Sequence, residues 1–357
     1  MTLDEAKDLF RQGDPAGALK VCESLLGENA DDPNALLLSA HALIALERKD
    51  EAYERLCRQR ELYRRHAVRP RAHFDLGLAF QQIGRLDDAE KSMAQAARMR
   101  PDAPALWLRH AQILLELGND ERASVVAKHA LTQARVTPEL LSDLAIVLHR
   151  AGYFFEAVEA YERCAKVAPA WEFVYSNWAA ALMELGRPDD ALAVSERWLS
   201  VLPDSIEALA FKTVASVEVG DMEEAQKLLD FDRFVNTVLI DVPDGYADID
   251  AFNRALEEHV LSHPDLKMPD KNHPTYHHPK LRITGEILSG EPGPVAGLEQ
   301  AMHKAVAGYL DTLGDDRDHP FVANKPSDYR LSAWAAVLDG EGNQHQHIHE
   351  DGYLSGC

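Results

Sequence analysis

The first two thirds of the chain repeat one arrangement of apolar and small residues every 34 positions. In one copy Leu76, Gly77 and Phe80 occupy positions i, i+1 and i+4, which lie on one face of an α-helix. The next three copies carry His110, Ala111 and Leu114; Leu144, Ala145 and Leu148; and Trp178, Ala179 and Leu182. The pattern predicts a helix with an apolar stripe and a small residue where a partner helix approaches.

Three residue types keep the same 34-residue phase along the chain. The phased glycines are Gly84, Gly118, Gly152, Gly186 and Gly220. The phased alanines are Ala18, Ala52, Ala89, Ala123, Ala157, Ala191 and Ala225, and the phased prolines are Pro101, Pro169 and Pro203. Glycine adopts left-handed backbone at low cost and ends helices, whereas proline cannot continue one. We therefore predict helix–turn–helix units in which glycine ends the first helix, alanine makes a close contact in the second, and proline stops it.

This pattern resembles the tetratricopeptide repeat, which has a 34-residue period. About seven units fit residues 2–230. The second unit departs from the pattern, because Glu47 stands in the place of the glycine and three residues are inserted near RRHAVRP. The resemblance implies a mainly α fold, a right-handed α-solenoid in which stacked units bury their apolar faces together and form a groove.

The predicted groove is lined by the first helix of each unit, and its charges are mixed. Its inner positions carry Asp75, Arg109, Gln112, Asp143, His149, Arg150, Asn177 and Glu184. These residues either bind a protein or peptide partner or are solvated side chains that support the stacking. The Lys/Asn/Arg set that some tetratricopeptide proteins use for a C-terminal carboxylate is not in place, so the sequence names no specific ligand.

The repeat phase ends after Leu229, and we expect a second, α+β domain over residues 231–357. The run VNTVLIDV predicts a strand, and residues 248–262 and 295–313 each predict an amphipathic helix. The segment YRLSAWAAVLDGEGNQHQHIHEDGYLSGC predicts a strand, a turn at DGEGN and a second strand.

Four potential metal ligands alternate along the last predicted strand. His345, His347, His349 and Asp351 are two positions apart, so an extended chain turns all four side chains to one face. Two imidazoles and a carboxylate are the ligand set of non-haem Fe(II) oxygenases. The other interpretations are a histidine-rich surface strand or adventitious metal binding.

Trp334, followed by HQHIHEDGYLSG, resembles the start of the catalytic core of 2-oxoglutarate/Fe(II)-dependent oxygenases, which often carry tetratricopeptide arrays at the N-terminus. The resemblance implies a double-stranded β-helix domain with Fe(II) and 2-oxoglutarate as cofactors. It also implies His349 and Asp351 as metal ligands, with His347 as an alternative ligand or a partner of one. His345 is expected to lie outside the site.

The same resemblance implies an incomplete domain. In this fold the second histidine and the basic residue that binds 2-oxoglutarate come from later strands, which would follow Cys357. We therefore expect residues 231–357 to form the N-terminal part of an oxygenase domain, and the chain to be a fragment or a degenerate protein. On this view the chain alone lacks a complete active site, and its catalytic and 2-oxoglutarate-binding residues are unknown.

Charge and cysteine content limit the partners and the compartment. The chain carries 37 Lys and Arg against 59 Asp and Glu, a net charge of −22, which disfavours nucleic-acid and anionic-membrane partners. Four widely spaced cysteines favour a reduced, cytoplasmic protein. Two functions remain. The protein is a 2-oxoglutarate-dependent dioxygenase whose repeats recruit a protein substrate, or it is a non-enzymatic tetratricopeptide scaffold for protein–protein interaction.

Overall fold

The computed structural model describes residues 2–66, 68–133, 136–268, 281–288, 293–338 and 352–356. The chain divides into two compact units, Met1–Pro203 and Asp204–Cys357. The helices of the first unit are α1 (Leu3–Arg11), α2 (Pro15–Glu28), α3 (Pro33–Ala45), α4 (Lys49–Arg65), α5 (Pro70–Gln82), α6 (Leu86–Met99), α7 (Pro104–Glu116), α8 (Asp120–Leu131), α9 (Pro138–Arg150), α10 (Phe154–Val167), α11 (Glu172–Glu184) and α12 (Pro188–Val201).

Consecutive helices of the first unit pack in pairs, as the repeat predicts. The pairs are α1 with α2, α3 with α4, α5 with α6, α7 with α8, α9 with α10, and α11 with α12. The first helices of neighbouring pairs also touch, so α7 contacts α9 and α9 contacts α11. One surface of this unit is therefore built from first helices alone.

Each pair turns at the position that the phased glycine predicts. After α7, for example, Gly118 adopts a left-handed φ of 69°, and the Asn119 N–H donates to the Leu114 carbonyl at 2.8 Å. Glu47 takes the same place after α3 with a φ of 58°, and no other non-glycine residue of the described ranges has a positive φ. The departure in the sequence therefore leaves the geometry of the turn unchanged and places a strained residue in it.

The phased alanines are the fourth residues of their helices, and all seven are at most 1% exposed. The closeness of the contact is visible at Gly77 of α5. A Cβ added to Gly77 would lie 3.3 Å from the Ala89 carbonyl oxygen and 3.1 Å from the Met93 Cε on α6. Only a small residue fits the stripe where the paired helices cross.

Between α3 and α7 the core of the first unit crosses from one helix pair to the next. A single buried cluster joins Leu56 of α4, Leu76 and Phe80 of α5, Met93 of α6 and Ile113 of α7. The stripe of one unit thus completes its burial against the neighbouring units, which confirms that stacking supplies the core.

The second unit begins with α13 (Ile206–Val219) and α14 (Met222–Leu228), a further pair with a left-handed Gly220 between them. Its other elements are α15 (Phe231–Phe234), α16 (Ile249–Leu261), β1 (Leu281–Ile283), α17 (Pro294–Thr312), α18 (Pro320–Ala323) and β2 (Ala336–Leu338). The predicted helices over 248–262 and 295–313 are confirmed as α16 and α17. The Asp248 carboxylate caps α16 by accepting from the Ala251 N–H at 2.7 Å.

The strands of the second unit differ from the prediction. Of YRLSAWAAVL only Ala336–Leu338 forms a strand, and its antiparallel partner is β1, with Leu281 opposite Leu338. The predicted DGEGN turn and the strand after it lie outside the described residues. VNTVLIDV forms no strand, and Leu239 within it is 92% exposed. A β-branched run becomes a strand only where a neighbouring strand pairs with it, and the described residues supply none here.

Besides its helices, the described part of the second unit contains only these two three-residue strands. The tetratricopeptide half of the predicted fold class is therefore present, whereas a double-stranded β-helix is not seen in the described ranges.

We predict that Glu47→Gly raises the free energy of unfolding by about 0.5–1 kcal/mol. Glycine removes the strain of a left-handed L-residue, which costs about 1–2 kcal/mol. Glycine also loses more conformational entropy on folding, which offsets roughly half of this stabilisation. The exposed ion pair of Glu47 with Lys49, at 3.3 Å, contributes little. Urea unfolding followed by circular dichroism measures the change.

Glu47→Ala is the matched control, because it removes the same ion pair but keeps a Cβ in the left-handed region. It should give no gain. Equal stability of the Gly and Ala variants would show that the turn at Glu47 is not strained.

Candidate functional site

An open cleft of about 230 Å³ lies between the first helices α7 and α9. It is lined by Arg109, Gln112, Leu115 and Glu116 from α7, and by Asp143, Ile146, Val147 and Arg150 from α9. Four of these, Arg109, Gln112, Asp143 and Arg150, are among the inner positions that the sequence predicted for the groove. The structure brings these four together on one surface.

The repeat explains why these side chains meet. Arg109 and Asp143 are 34 residues apart and hold the same place on successive first helices, as do Glu116 and Arg150. Leu115, Ile146 and Val147 were absent from the predicted set, as was Glu116. Moving each predicted position by one period of 34 residues would have found three of them, since Ile146 follows Gln112, Leu115 precedes His149 and Glu116 precedes Arg150 by that distance.

Hydrogen bonds from α5 fix the α7 wall of the cleft. The Arg109 guanidinium donates to Gln112 Oε1 at 2.8 Å and to Gln81 Oε1 at 3.5 Å. The Gln81 amide in turn donates to Glu116 Oε1 at 2.6 Å. Both charged groups of this wall are therefore held by Gln81, a residue of the preceding unit.

The α9 wall is different, because its charges are not paired. Within the described ranges neither Asp143 nor Arg150 has a hydrogen-bond or ion-pair partner for its side chain. Burial, together with the negative charge of Glu139 one turn away, raises the pKa of Asp143 above its usual value. A carboxylate and a guanidinium on this wall are thus available to charged groups of a ligand.

Three other predicted groove residues support the local structure. Asp75 forms an ion pair with Arg71 at 2.7 Å, and the Asn177 amide donates a hydrogen bond to the Phe173 carbonyl at 2.8 Å. The His149 ring lies edge-on to Phe154, with centroids 5.4 Å apart, and burial lowers its pKa. Their bonds are made within their own helix or helix pair, which fits the structural interpretation. Glu184 is exposed.

The size and lining of the cleft limit what it can hold. Sites for small molecules usually measure about 300–1,000 Å³ and bury most of the ligand, so this open cleft is too small for an enclosed metabolite. Its aliphatic floor and charged rim fit a few side chains of a longer segment.

A second cleft, of about 570 Å³, lies within the second unit between residues 236–244 and α17. Its facing charges, Lys304 and Asp241, already form an ion pair at 2.5 Å. This cleft therefore offers no free charge from that pair to a ligand.

The predicted metal ligands His347, His349 and Asp351, and their neighbour His345, lie outside the described residues. Within the residues described, no group of three or more His, Cys, Asp or Glu side chains is placed to hold a metal ion. The iron site therefore stays a prediction.

A buried polar cluster joins α7 to α6 and α8. His110, 5% exposed, lies with its Nε2 2.8 Å from Glu90 Oε1 on α6, and Arg122 of α8 donates to the same oxygen at 2.8 Å. Burial, together with the positive charges of Arg122 and Arg98, lowers the pKa of His110 overall, although Glu90 acts to raise it. Burial acts to raise the pKa of Glu90, but its bonds to His110 and Arg122 lower it overall. The cluster joins three helices and holds the α7 wall in place.

Residues 9–68 and 74–133 each match a family model for the tetratricopeptide repeat. The crystal structure of the C-terminal part of a TPR repeat-containing protein from Cytophaga hutchinsonii is similar, with a TM-score of 0.51 and 16% identity over 63% of this chain and 92% of that one. A tetratricopeptide repeat protein from Parabacteroides merdae gives a TM-score of 0.42 and 13% identity over 64% and 89% of the two chains.

Among curated proteins, the CTR9 homolog of Arabidopsis thaliana is 28% identical over 138 residues, which are 38% of this chain and 13% of that protein. The chain thus spans about an eighth of the length of this relative. Together with the Cytophaga hutchinsonii structure, the family models confirm the tetratricopeptide repeats. No helix of the described ranges is long and apolar enough to cross a membrane.

We predict that the free energy of unfolding falls between pH 7.5 and pH 5.5, and that it falls less in His110→Gln. The pKa of His110 lies below the ordinary 6.5 in the folded state, so the unfolded chain takes up the proton first and stability drops with pH. Glutamine keeps a donor for Glu90 but does not titrate. Urea unfolding at the two pH values measures both losses, and equal losses would contradict the burial of a neutral His110.

Proposed function

We propose that this protein is a tetratricopeptide scaffold that binds a segment of another protein in the cleft between α7 and α9. The observation that carries the proposal is the α9 wall, where Asp143 and Arg150 have no partner among the described residues. Arrays of stacked helix pairs present extended surfaces of this kind to protein partners. The cleft lies on the row of first helices, where such a surface forms.

The lining of the cleft favours binding over catalysis. It contains no serine, cysteine, histidine or lysine, and so lacks the usual nucleophiles and the commonest general base. The two carboxylates, Glu116 and Asp143, border an open surface that does not exclude water. Aliphatic Leu115, Ile146 and Val147 between the charges are suited to contact with the side chains of a partner.

The oxygenase function predicted from residues 334–356 is not part of this proposal. Its candidate ligands lie outside the described residues, and the family models that match residues 9–68 and 74–133 are models of the tetratricopeptide repeat. If Fe(II) and 2-oxoglutarate are bound by a longer form of the protein, the array would recruit its substrate, and the cleft would serve the same purpose.

We also propose a cytoplasmic location, in line with the free thiols of Cys22, Cys57 and Cys164.

We predict that Ile146→Arg in the full chain weakens partner binding at least tenfold, about 1.4 kcal/mol. The larger charged side chain fills the cleft and removes an apolar contact from its centre, where binding energy concentrates. Quantitative mass spectrometry of proteins cross-linked to the purified chain measures the retained partners and the residues that touch them.

Val125→Arg is the matched control, because Val125 is an apolar residue on α8 that is 59% exposed. It should retain the partners of the natural chain, and circular dichroism should show both variants folded. Unchanged capture by Ile146→Arg, or loss of capture in Val125→Arg alone, would contradict the assignment of binding to this cleft.

A further inference from the structure

The charges of α9 that face the cleft lie along one side of the helix. Asp143 and Arg150 are seven residues apart, which is two turns, so both lie on the same face. At 1.5 Å per residue they are separated by about 10 Å along the helix axis. Ile146 and Val147 lie between them and also line the cleft.

The facing wall carries the complementary charges but does not neutralise this pair. Arg109 holds the place of Asp143 on α7, and Glu116 holds the place of Arg150. Gln81 of α5 binds both, accepting from Arg109 at 3.5 Å and donating to Glu116 at 2.6 Å. Because these two groups are bonded toward α5, the α9 carboxylate and guanidinium keep their capacity for a ligand.

Asp143 in particular is set to receive a cation. Asp143 is an exposed residue of α9, and partial desolvation together with the negative charge of Glu139 raises the pKa of its carboxyl group. A lysine or arginine side chain placed against it would relieve the repulsion between the two carboxylates and form a charge-assisted hydrogen bond. At the other end, Arg150 would bind a carboxylate in the same way.

We propose that the cleft recognises an extended protein segment that carries a basic and an acidic residue three positions apart. In the polyproline II form of an extended chain, three residues make one turn and each rises about 3.1 Å. Two side chains three positions apart therefore lie on the same side and span about the distance between Asp143 and Arg150. The residues between the two charges would cover Ile146, which is half-buried in the cleft. This inference rests on the proposed function and gives the chemistry of its ligand.

The test is a selection of random eight-residue peptides displayed on phage, carried out on the full chain. The natural protein should enrich peptides with a basic and an acidic residue three positions apart about tenfold or more over the unselected library. Asp143→Lys should lose the preference for the basic residue and select a second acidic residue instead. Glu159→Lys, the same charge change at an exposed position of α10, should select like the natural protein.

The possible results separate this inference from the proposed function. Peptides that are enriched and that fail to bind Ile146→Arg, but carry no such charge pair, would overturn the inference and leave the cleft as the binding site. A preference for basic residues that persists in Asp143→Lys would also overturn it. The absence of any enriched peptide would contradict both the proposed function and the inference.

Discussion

The close crossing of two helices at a small residue is the constraint on which the rest of the array depends. At Gly77 a single added carbon would approach the Ala89 carbonyl oxygen to 3.3 Å. Ala123 and Ala157, which hold the place of Ala89 in later pairs, are fully buried. Because this contact recurs every 34 residues, each pair packs in the same way. The first helices then lie next to one another, and the α7–α9 cleft follows from that arrangement.

Packing and the lining of the cleft use different residues of the same helix. In α7 the stripe residues Ala111 and Leu114 are fully buried, whereas Arg109 and Glu116 reach the cleft. The stripe therefore has to stay small and apolar, while the cleft positions are free to change from one unit to the next. This freedom explains how Arg109 in one unit can be followed by Asp143 in the next without any change in the helix pair.

Much of the array could be predicted from the sequence, because local residues decide its turns. Gly118 ends a helix because glycine readily adopts the left-handed conformation. Glu47, at the equivalent position of its unit, adopts the same conformation although it is not a glycine. The pairing of VNTVLIDV could not be predicted in the same way. A strand depends on a neighbour elsewhere in the chain, and a β-branched run carries no information about that neighbour.

In the candidate site, too, the positions of the residues could be predicted from the sequence but the bonds between their side chains could not. The positions of Arg109 and Asp143 on the inner row follow from the repeat, so the sequence placed them in the groove. The bonds that Gln81 makes to Arg109 and Glu116 depend on side-chain conformations across two units, which no periodic pattern encodes. The prediction of an iron site at His347, His349 and Asp351 concerns residues outside the described ranges and stays a prediction.

The most direct measurement of the central constraint compares two substitutions in the same helix. Ala111→Leu enlarges the buried stripe residue of α7, whereas Ala105→Leu enlarges an exposed residue of that helix. We expect urea unfolding to show a loss of about 1–3 kcal/mol for Ala111→Leu and a change within about 0.5 kcal/mol for Ala105→Leu. Equal stability of the two variants would contradict the claim that the array is built on close contact at the small residues.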